Sequence, residues 1–342
     1  MSDGFLSLNN LQIRYGETVA VPNLSLAIQK GELLALLGPS GCGKTTTMRA
    51  IAGLLKPAGG QIMLDGRNIT GTAANRRDIG LVFQAYALFP HLTAFENVAF
   101  GLRMQKLPKE EIQQRTMAGL ELVSMDGFAN RKPAELSGGQ QQRLALARSL
   151  VVNPKLLLLD EPLSNLDAKL RLEMRAELQR VQKETGITMI FVTHDQGEAL
   201  GLADRVVLMR AGEIEQIGSP TEIYNQPNSL FVADFMGFEN IFAVSDNHLV
   251  GTAGRLKLAF KSTAKHLAWR PDGLVLAAVE SSRTPFAATV EAVSFAGGHR
   301  EYMLSSPLGR LRLNQSVDEP FFAPEEAVYF GLPQERAVAF DR

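Results

Sequence analysis

One glycine-rich run near the amino terminus constrains the fold more than any other stretch: Gly38-Pro39-Ser40-Gly41-Cys42-Gly43-Lys44-Thr45. It follows the apolar segment Leu33 to Leu37, and good helix formers follow it from Thr46 to Leu54. Glycines allow backbone N–H groups to close around phosphate oxygens, and the following helix adds the positive end of its dipole. The run therefore predicts a phosphate-binding loop between a strand and a helix. A glycine-rich turn without a ligand is the alternative, and the flanking strand and helix patterns argue against it.

The motif also predicts roles for individual side chains of the loop. Lys44 would bridge the β- and γ-phosphates of a bound nucleotide, and the Thr45 hydroxyl would bind Mg²⁺. Cys42 is interpreted as a residue that fills the loop, because no base lies beside it in the sequence.

Further apolar runs predict the sheet to which this loop belongs. Hydrophobic residues fill consecutive positions in four segments, Leu33 to Leu37, Leu81 to Phe83, Leu156 to Leu159 and Met189 to Val192. Such runs are typical of strands buried on both faces of a parallel sheet. Helical spacing lies between them, from Lys109 to Val123 and from Lys169 to Lys183, the second stopping near Gly186.

The chain of 342 residues is long enough for two domains. After about Met236 long helix patterns end, and short β-like runs alternate with turn signals such as Asp246-Asn247, Asp272-Gly273, Gly297-Gly298 and Pro307-Leu308-Gly309. We predict a nucleotide-binding domain over 1–236, with a helical subdomain over about 87–153, and a β domain over 237–342. The stretch from Gly218 to Gly237 is interpreted as the linking region.

Composition argues against several classes of protein. The formal net charge is -1, which disfavours a nucleic-acid binder that works through a basic surplus. Cys42 is the single cysteine, so an intrachain disulfide is impossible and a reducing compartment is expected. The stretch from Met1 to Asn10 lacks the basic start and apolar block typical of a signal peptide, and no apolar run approaches ~18 residues, so any service to a membrane is expected to go through a partner.

A second motif carries acid chemistry. The buried run Leu156 to Leu159 ends in Asp160 and Glu161, and ligands bind at the carboxyl ends of parallel strands. Asp160 would hold Mg²⁺, directly or through water, and Glu161 would polarise the attacking water as general base. Two solvated acids at a strand end are the alternative, which the upstream phosphate loop disfavours.

Between these motifs lies Leu136-Ser137-Gly138-Gly139-Gln140. With this pentapeptide, the chain from about Phe5 to Met236 resembles the nucleotide-binding subunits of ABC transporters. Ser137 is a good helix N-cap, and the glycines permit close backbone approach. The resemblance implies that this helix start grips the γ-phosphate of ATP bound to a second subunit; a capped helix without a ligand is the alternative.

The resemblance also assigns roles to single residues. Tyr15 would stack on adenine, Gln84 would meet Mg²⁺ and sense the partner, and His194 would contact the γ-phosphate and hold the attacking water. An edge-strand tyrosine, a surface glutamine and a structural histidine are the respective alternatives. The loop Ser164-Asn165-Leu166-Asp167 would touch the other subunit's site, and Asn165 departs from the commoner alanine.

Taken together, the implied site has three overlapping sets of residues. The catalytic set is Glu161, His194 and Gln84, and the metal set is Thr45, Gln84 and Asp160. The residues expected to contact ATP are Tyr15, Gly38, Pro39, Ser40, Gly41, Cys42, Gly43, Lys44, Thr45, Thr46, Ser137, Gly138, Gly139 and Gln140.

The implied architecture is a P-loop NTPase (RecA-like) α/β core with a helical subdomain, followed by an all-β, OB-like domain. The implied partners are a second copy in a head-to-tail dimer, transmembrane permease subunits that contact the segment Tyr86 to Gly101, and indirectly a periplasmic or extracellular solute-binding protein. No nucleic acid is expected. The expected location is peripheral, on the cytoplasmic face of the inner membrane.

The β domain resembles that of import subunits for polyamines, ferric iron, sugars and sulfate. The run Val82 to Leu102 resembles polyamine importers most, with ferric iron, phosphonate, sugar and sulfate import as alternatives. A non-transport ABC ATPase is the alternative from another class, but the chain has one cassette and no heptad insertion. Arg270-Pro271-Asp272 stands where the group usually shows Arg-Pro-Glu, and either a regulatory contact or a proline before a turn would explain it.

Overall fold

The chain folds into two compact units in a computed structural model that describes residues 4–341. The division falls between Ile223 and Tyr224. This point lies inside the stretch from Gly218 to Gly237 that the sequence marks as linking. The domain bounds of 1–236 and 237–342 stay a prediction.

The first unit alternates strands and helices. Its strands are β1 (Leu6–Tyr15), β2 (Thr18–Ile28), β3 (Leu33–Leu37), β4 (Gly59–Leu64), β5 (Arg67–Asn68), β6 (Ile79–Val82), β7 (Leu156–Asp160), β8 (Thr188–Val192), β9 (Arg205–Arg210) and β10 (Glu213–Gly218). Its helices are α1 (Lys44–Ala52), α2 (Ala94–Met104), α3 (Lys109–Leu122), α4 (Gly138–Leu150), α5 (Ala168–Thr185) and α6 (Gln196–Leu202), and α7 (Pro220–Asn225) runs across the division.

A six-stranded sheet of order β10-β9-β3-β8-β7-β6 forms the centre of this unit within residues 4–223. Strands β9, β3, β8, β7 and β6 are parallel, and β10 pairs with β9 in the antiparallel sense. Strands β3, β7 and β8 are buried at every position, as the apolar runs predict. Their carboxyl ends therefore share one edge, where the phosphate loop and both carboxylates emerge.

The prediction for the apolar run Leu81 to Phe83 was wrong in detail. Strand β6 ends at Val82, and the side chain of Phe83 beyond it is exposed. Ile79 and Leu81 are only half-buried, because β6 is the edge strand of the sheet and one face is poorly covered. Continuous apolar sequence does not by itself distinguish an edge strand from a central one.

An antiparallel sheet of order β2-β1-β4-β5 contributes to the same core. Its inward side chains, such as Leu8 and Ile13, join Met48 and Ile51 of α1 and Ile190 of β8 in one buried cluster. The phosphate loop is thereby held at both ends, because β3 before it and α1 after it both contribute side chains to this core.

The predicted helices at 109–123 and 169–183 are present as α3 and α5. Helix α5 ends at Gly186, which has the left-handed φ of 62° that favours glycine at a helix end. Helices α2, α3 and α4 fall within the predicted helical subdomain. Helix α2 begins with a capping box in which Thr93 and Glu96 bond each other's backbone.

The second unit is mostly β, as predicted. It contains α8 (Leu230–Phe235) and the strands β11 (Asn240–Ser245), β12 (His248–Val250), β13 (Arg255–Lys257), β14 (His266–Trp269), β15 (Val275–Ala277), β16 (Phe286–Phe295), β17 (His299–Ser306), β18 (Gly309–Ser316), β19 (Ala327–Gly331) and β20 (Val338–Phe340). Over residues 224–341 these strands form two antiparallel sheets, β13-β12-β11-β14-β20 and β15-β19-β16-β17-β18, around a core that includes Trp269, Tyr302 and Phe330.

Most of the turn signals in this unit lie between paired strands. Asp246 and Asn247 adopt left-handed φ values of 52° and 59° in the turn from β11 to β12. Gly297 turns β16 into β17, and Gly309 opens β18 after β17. Asp272 and Gly273 instead belong to a short 3₁₀ turn, Pro271–Gly273.

Candidate nucleotide-binding and catalytic site

The phosphate loop is built around a buried ammonium group. Lys44 is the first residue of α1, is only 6% exposed, and its Nζ donates to the carbonyl oxygens of Gly38 (2.8 Å) and Pro39 (2.9 Å). The Cys42 thiol is also buried, 3.7 Å from the same Nζ, in keeping with a residue that fills the loop. A cation held among loop carbonyls at a helix start suits a polyphosphate, whose oxygens can replace those carbonyls.

The acidic strand end lies directly beside this loop. The Thr45 hydroxyl donates to Asp160 Oδ1 at 3.1 Å, so α1 and β7 meet here. Burial raises the pKa of Asp160, and the Thr45 hydrogen bond partly opposes that rise. A buried carboxylate with one hydroxyl partner favours the arrival of a cation.

Glu161 follows β7 in an unusual backbone conformation. Its φ is 44°, in the left-handed region that non-glycine residues rarely adopt, and its N–H donates to the carbonyl oxygen of Val192 at 3.1 Å. Such strain persists where the surrounding structure enforces it, and it concentrates at functional sites.

The Glu161 carboxylate collects two of the residues that the resemblance named. Gln84 Nε2 donates to Glu161 Oε2 at 3.0 Å, and His194 Nδ1 lies 3.4 Å from Glu161 Oε1. These side chains follow β6, β7 and β8, whose carboxyl ends are adjacent. A carboxylate with a histidine and an amide at hydrogen-bonding distance can accept a proton from water while its neighbours orient that water.

The loop 164–167 is hydrogen-bonded to the same cluster. Ser164 Oγ donates to the Glu161 carbonyl oxygen at 3.0 Å, and Asn165 Nδ2 donates to the Gln84 carbonyl oxygen at 3.0 Å. Asp167 then caps α5 through a bond of 3.0 Å from Leu170 N–H. Asn165, the departure from the commoner alanine, therefore makes a contact that alanine could not make.

The pentapeptide motif forms the start of α4. Ser137 is the N-cap, and a capping box joins it to Gln140. The second glycine, Gly139, packs closely against Leu170, whose side chain would have to shift to admit a Cβ, because that Cβ would lie 2.6 Å from Leu170 Cδ1. Ser137 and Gly138 are exposed. Among the described residues, Ser137 exchanges hydrogen bonds with Gln140 and its carbonyl oxygen accepts from Gln141 N–H, so the structure does not join this helix start to the Glu161 cluster of its own chain.

Tyr15 stands at the end of β1 and is 48% exposed, so its ring is available to a ligand. Its strand position also fits the alternative of an edge-strand tyrosine. Of the remaining loop residues, Ser40 and Gly41 are exposed and Pro39 and Thr46 are half-buried. All of these residues belong to the same loop and helix start as Lys44.

Sequence reasoning missed an arginine that supports the loop after Gln84. Arg148 of α4 donates to the carbonyl oxygens of Tyr86 (2.9 Å) and Ala87 (2.8 Å), two consecutive residues with left-handed φ values of 60° and 50°. Burial lowers the pKa of Arg148. The signal available in the sequence was a single charged residue within an apolar helix run, from Leu144 to Val151.

The residues present also fit a magnesium ion bound together with a nucleotide. Within residues 4–341 no group of three or more His, Cys, Asp or Glu side chains is arranged to hold a metal. Asp160 and Thr45 offer one carboxylate and one hydroxyl, both hard oxygen donors. Mg²⁺ is commonly bound by one or two carboxylates, water and substrate phosphates, so this pair would form a site once phosphate oxygens complete it.

A glycine-rich loop, a buried lysine and two carboxylates at the edge of a parallel sheet define a P-loop nucleotide-binding ATPase. Comparison with known proteins agrees. The sequence profile of the ABC transporter family matches residues 21–164, and that of the TOBE domain matches residues 267–340.

Individual relatives extend the match to the whole chain. The Fe(3+) ions import ATP-binding protein FbpC of Rhizobium etli is 43% identical over 98% of this chain and 97% of its own length. The spermidine/putrescine import ATP-binding protein PotA of Mannheimia succiniciproducens is 56% identical over 70% of this chain and 65% of its own. A dimeric, post-hydrolysis structure of the ATP-binding cassette MJ0796 with ADP and Pi matches with a TM-score of 0.56 and 35% identity, over 63% of this chain and 98% of that one.

The chain therefore belongs to the ATP-binding proteins of ABC transporters, in the group that carries a C-terminal TOBE domain. It binds and hydrolyses ATP, and the predicted fold class of a P-loop α/β core followed by an OB-like β domain is confirmed. In the part of the chain that the structure describes, no helix combines the length and apolar character needed to span a bilayer.

Proposed function

We propose that this ATPase energises solute uptake through a separate transmembrane permease. The observation that carries the proposal is the similarity to an Fe(3+) ions import ATP-binding protein over 98% of this chain. That similarity includes the β domain as well as the ATPase unit.

In the proposed site, Lys44 exchanges its bonds to loop carbonyls for bonds to the β- and γ-phosphates. Backbone N–H groups of the run from Gly38 to Thr46 surround the phosphates, and Tyr15 stacks on adenine. These roles rest on the position of the loop at the start of α1 and on the exposure of the tyrosine ring.

Thr45, Asp160 and Gln84 would hold Mg²⁺, which when bound neutralises phosphate charge. Glu161 acts as general base on the attacking water, and His194 orients that water and contacts the γ-phosphate. Support comes from the Glu161 carboxylate, which already contacts Gln84 at 3.0 Å and His194 at 3.4 Å. General-base assistance is worth about 10²–10⁴-fold in rate.

The site is completed by a second copy of the chain, arranged head to tail. Ser137, Gly138, Gly139 and Gln140 of that copy would bind the γ-phosphate at the start of α4. The exposed helix start and the dimeric state of the MJ0796 cassette support this arrangement. ATP then favours the closed pair through its γ-phosphate contact, which hydrolysis removes.

The permease would contact the segment from Tyr86 to Gly101 and the exposed face of α2. Phe89 and Phe100 pack with ring centroids 4.6 Å apart, and Phe100 and Met104 keep exposed apolar surface beside them. The chain would then be peripheral on the cytoplasmic face of the membrane. A solute-binding protein would reach it only through the permease.

Two substrate classes have specific support. Polyamine import is favoured by the 56% identity with a spermidine/putrescine import protein, which covers 70% of this chain. Ferric iron import is favoured by the match that includes the β domain, at 43% identity over 98% of the chain. Sugar, sulfate and phosphonate import remain alternatives from the sequence resemblance.

The shared site can be tested with the full chain. Glu161→Gln keeps the shape of the base but removes its charge, so the variant should bind ATP and form a stable ATP-dependent dimer in light scattering. Adding Ser137→Arg should block that dimer. A Glu161→Gln protein that stays monomeric at saturating ATP would contradict the shared site.

Import and substrate are tested by co-expression with the permease and binding protein encoded nearest to this chain. We expect the ATPase to co-purify with a multi-spanning membrane protein. In vesicles, its turnover should rise with binding protein loaded with either spermidine or ferric iron, and the other ligand serves as control. Co-purification with nucleic acid instead would favour the non-transport class.

A further inference from the structure

Two arginines on α5 face the segment that follows His194. Arg171 and Arg175 lie one helical turn apart, and both approach the carboxylate of Asp195, at 3.7 Å and 3.8 Å. Among the ion pairs of the described residues, Arg171 also reaches Glu198 Oε1, at 3.6 Å from its Nε, whereas Arg175 affects Glu198 only through a longer-range electrostatic interaction. The two side chains therefore differ in what they connect, although their sequence positions look equivalent.

Arg171 reaches a third group on the other side. Its Nη2 donates to the carbonyl oxygen of Leu166 at 3.2 Å, inside the loop 164–167. Each guanidinium nitrogen thus faces a different group: Leu166, Asp195 and Glu198. The planar fork of arginine can hold three directions at once, which the ammonium of lysine on its flexible stem cannot reproduce.

The acidic end of this link is a set of hydrogen bonds among residues on both sides of His194 in the sequence. Thr193 Oγ1 donates to the buried Glu198 carboxylate at 2.6 Å and accepts from Asp195 N–H at 3.0 Å. Asp195 Oδ1 in turn accepts from Glu198 N–H at 2.8 Å. His194 lies between Thr193 and Asp195, so its backbone moves only if this ring of bonds moves with it.

The opposite end of the link is the loop that touches the base. Ser164 and Asn165 bond the backbone of Glu161 and Gln84, each at 3.0 Å. Arg171 is therefore a connection between the loop beside Glu161 and the segment that carries His194, and the imidazole lies 3.4 Å from the Glu161 carboxylate.

We propose that Arg171 is a positioning residue that ties the loop 164–167 to the His194 segment, so that a second copy pressing on that loop sets the place of the imidazole against Glu161. The proposal rests on the proposed shared site for its trigger. The link itself lies within one chain.

Arg175 supplies the matched control. A Cβ on Gly197 would lie 3.5 Å from its Nη2 and a Cβ on Gly201 would lie 3.7 Å from its Nη1, both ordinary contact distances, so its guanidinium lies beside α6 at these two glycines. Its described ion pair is with Asp195. It holds α6 in place without a bond to the loop 164–167, which is the behaviour of a purely structural arginine.

The test compares Arg171→Lys with Arg175→Lys in the full chain. Arg171→Lys should lower kcat for ATP between about 10-fold and 100-fold, since a misplaced catalytic group can cost about 10²-fold. Its KM for ATP should stay nearly unchanged, because no ground-state contact to the nucleotide is removed. Arg175→Lys should change kcat within about twofold.

A double-mutant cycle with His194→Ala decides whether Arg171 acts through the histidine. In that background Arg171→Lys should change the residual kcat by no more than about twofold. An equal fall with and without His194, or an unchanged kcat in the single variant, would overturn the proposal. If Arg171→Lys does not fold, Glu198→Gln is tested in its place, because it weakens the same link. Its effect on kcat must likewise disappear in the His194→Ala background.

Failure of the shared site is measured separately. The Glu161→Gln chain should dimerise with ATP equally well with and without Arg171→Lys, since Arg171 positions the histidine and is not placed in the interface. A monomeric Glu161→Gln chain refutes the shared site, whereas a normal dimer together with an additive Arg171 effect refutes the link.

Discussion

Two glycines of the phosphate loop should respond differently to alanine, because they meet different surroundings. Gly38 has a φ of 147°, and a Cβ there would lie 2.3 Å from the carbonyl oxygen of Met209 and 2.9 Å from Cys42 Sγ. Gly41 has a φ of 79°, and its Cβ would meet nothing within 4 Å. An alanine at position 38 would clash with the folded protein itself. An alanine at position 41 would obstruct only a ligand that enters the open space beside it.

The magnitudes follow from these contacts. Gly38→Ala adds a conformational cost of about 1–3 kcal/mol to an overpacking cost of about 1–3 kcal/mol, so its free energy of unfolding should fall by roughly 2–6 kcal/mol. Gly41→Ala has only a left-handed cost of about 1–2 kcal/mol, partly offset by lower entropy of the unfolded chain. The main effect of Gly41→Ala should be on ATP affinity, which should fall by about tenfold or more. The added side chain would hold the phosphate away from the backbone N–H groups.

The assay is urea unfolding followed by far-UV circular dichroism, which reports mainly on the helices of residues 4–223. Trp269, the single tryptophan, is fully buried in the second unit, so its fluorescence gives an internal control that Gly38→Ala should leave nearly unchanged. Binding of a fluorescent ATP analogue measures the second effect. Equal stability of the two variants, or full ATP affinity in Gly41→Ala, would refute the reasoning.

Two further outcomes are expected. Asp160→Asn should raise the Tm of the nucleotide-free chain in EDTA at neutral pH, by roughly 2–4 °C for each kcal/mol relieved, because burial raises the pKa of Asp160 and its charged form opposes folding. The advantage should shrink as the pH falls through that raised pKa and vanish below the ordinary value, where the wild-type acid is protonated too; an advantage that grows in acid would contradict this sign. Arg270→Lys should destabilise the second unit by about 2 kcal/mol in Trp269 fluorescence, because the guanidinium lies 3.5 Å from the ring centre of Tyr224 and 4.0 Å from that of Phe238; an unchanged transition would show that this stacking adds nothing.

The sequence predicted the sheet edge because short-range patterns determine it. Apolar runs at β3, β7 and β8 are followed directly by the phosphate loop, the acid pair and His194. Parallel strands bring their carboxyl ends together, so residues distant in sequence become neighbours without any further information. The contacts of Glu161 with Gln84 and His194 are the consequence.

The same patterns could not predict the arginine contacts. Arg148, Arg171 and Arg270 each bond backbone carbonyl oxygens, and a carbonyl leaves no mark on the residue type that bears it. The role of Arg270-Pro271-Asp272 was open for this reason. In the structure Arg270 stacks on aromatic rings and donates to the carbonyl oxygen of Met236 at 3.2 Å, which explains the arginine and not the aspartate.

Lys44, Thr45 and Glu161, which are proposed to act on ATP, all have polar partners within their own chain in this structure. Lys44 donates to two loop carbonyls, Thr45 donates to Asp160, and the oxygens of Glu161 face Gln84 at 3.0 Å and His194 at 3.4 Å. A nucleotide can replace the first two sets of bonds with phosphate oxygens and a cation, because these are stronger, charge-assisted partners. The bond from Gln84 to Glu161 is different, because the same amide also donates to Ser164 Oγ at 3.2 Å and is therefore tied to the loop 164–167. We therefore expect the proposed base to be freed only when that loop moves in addition to nucleotide binding, and a solitary chain with ATP bound should turn over slowly until a second copy reaches the loop.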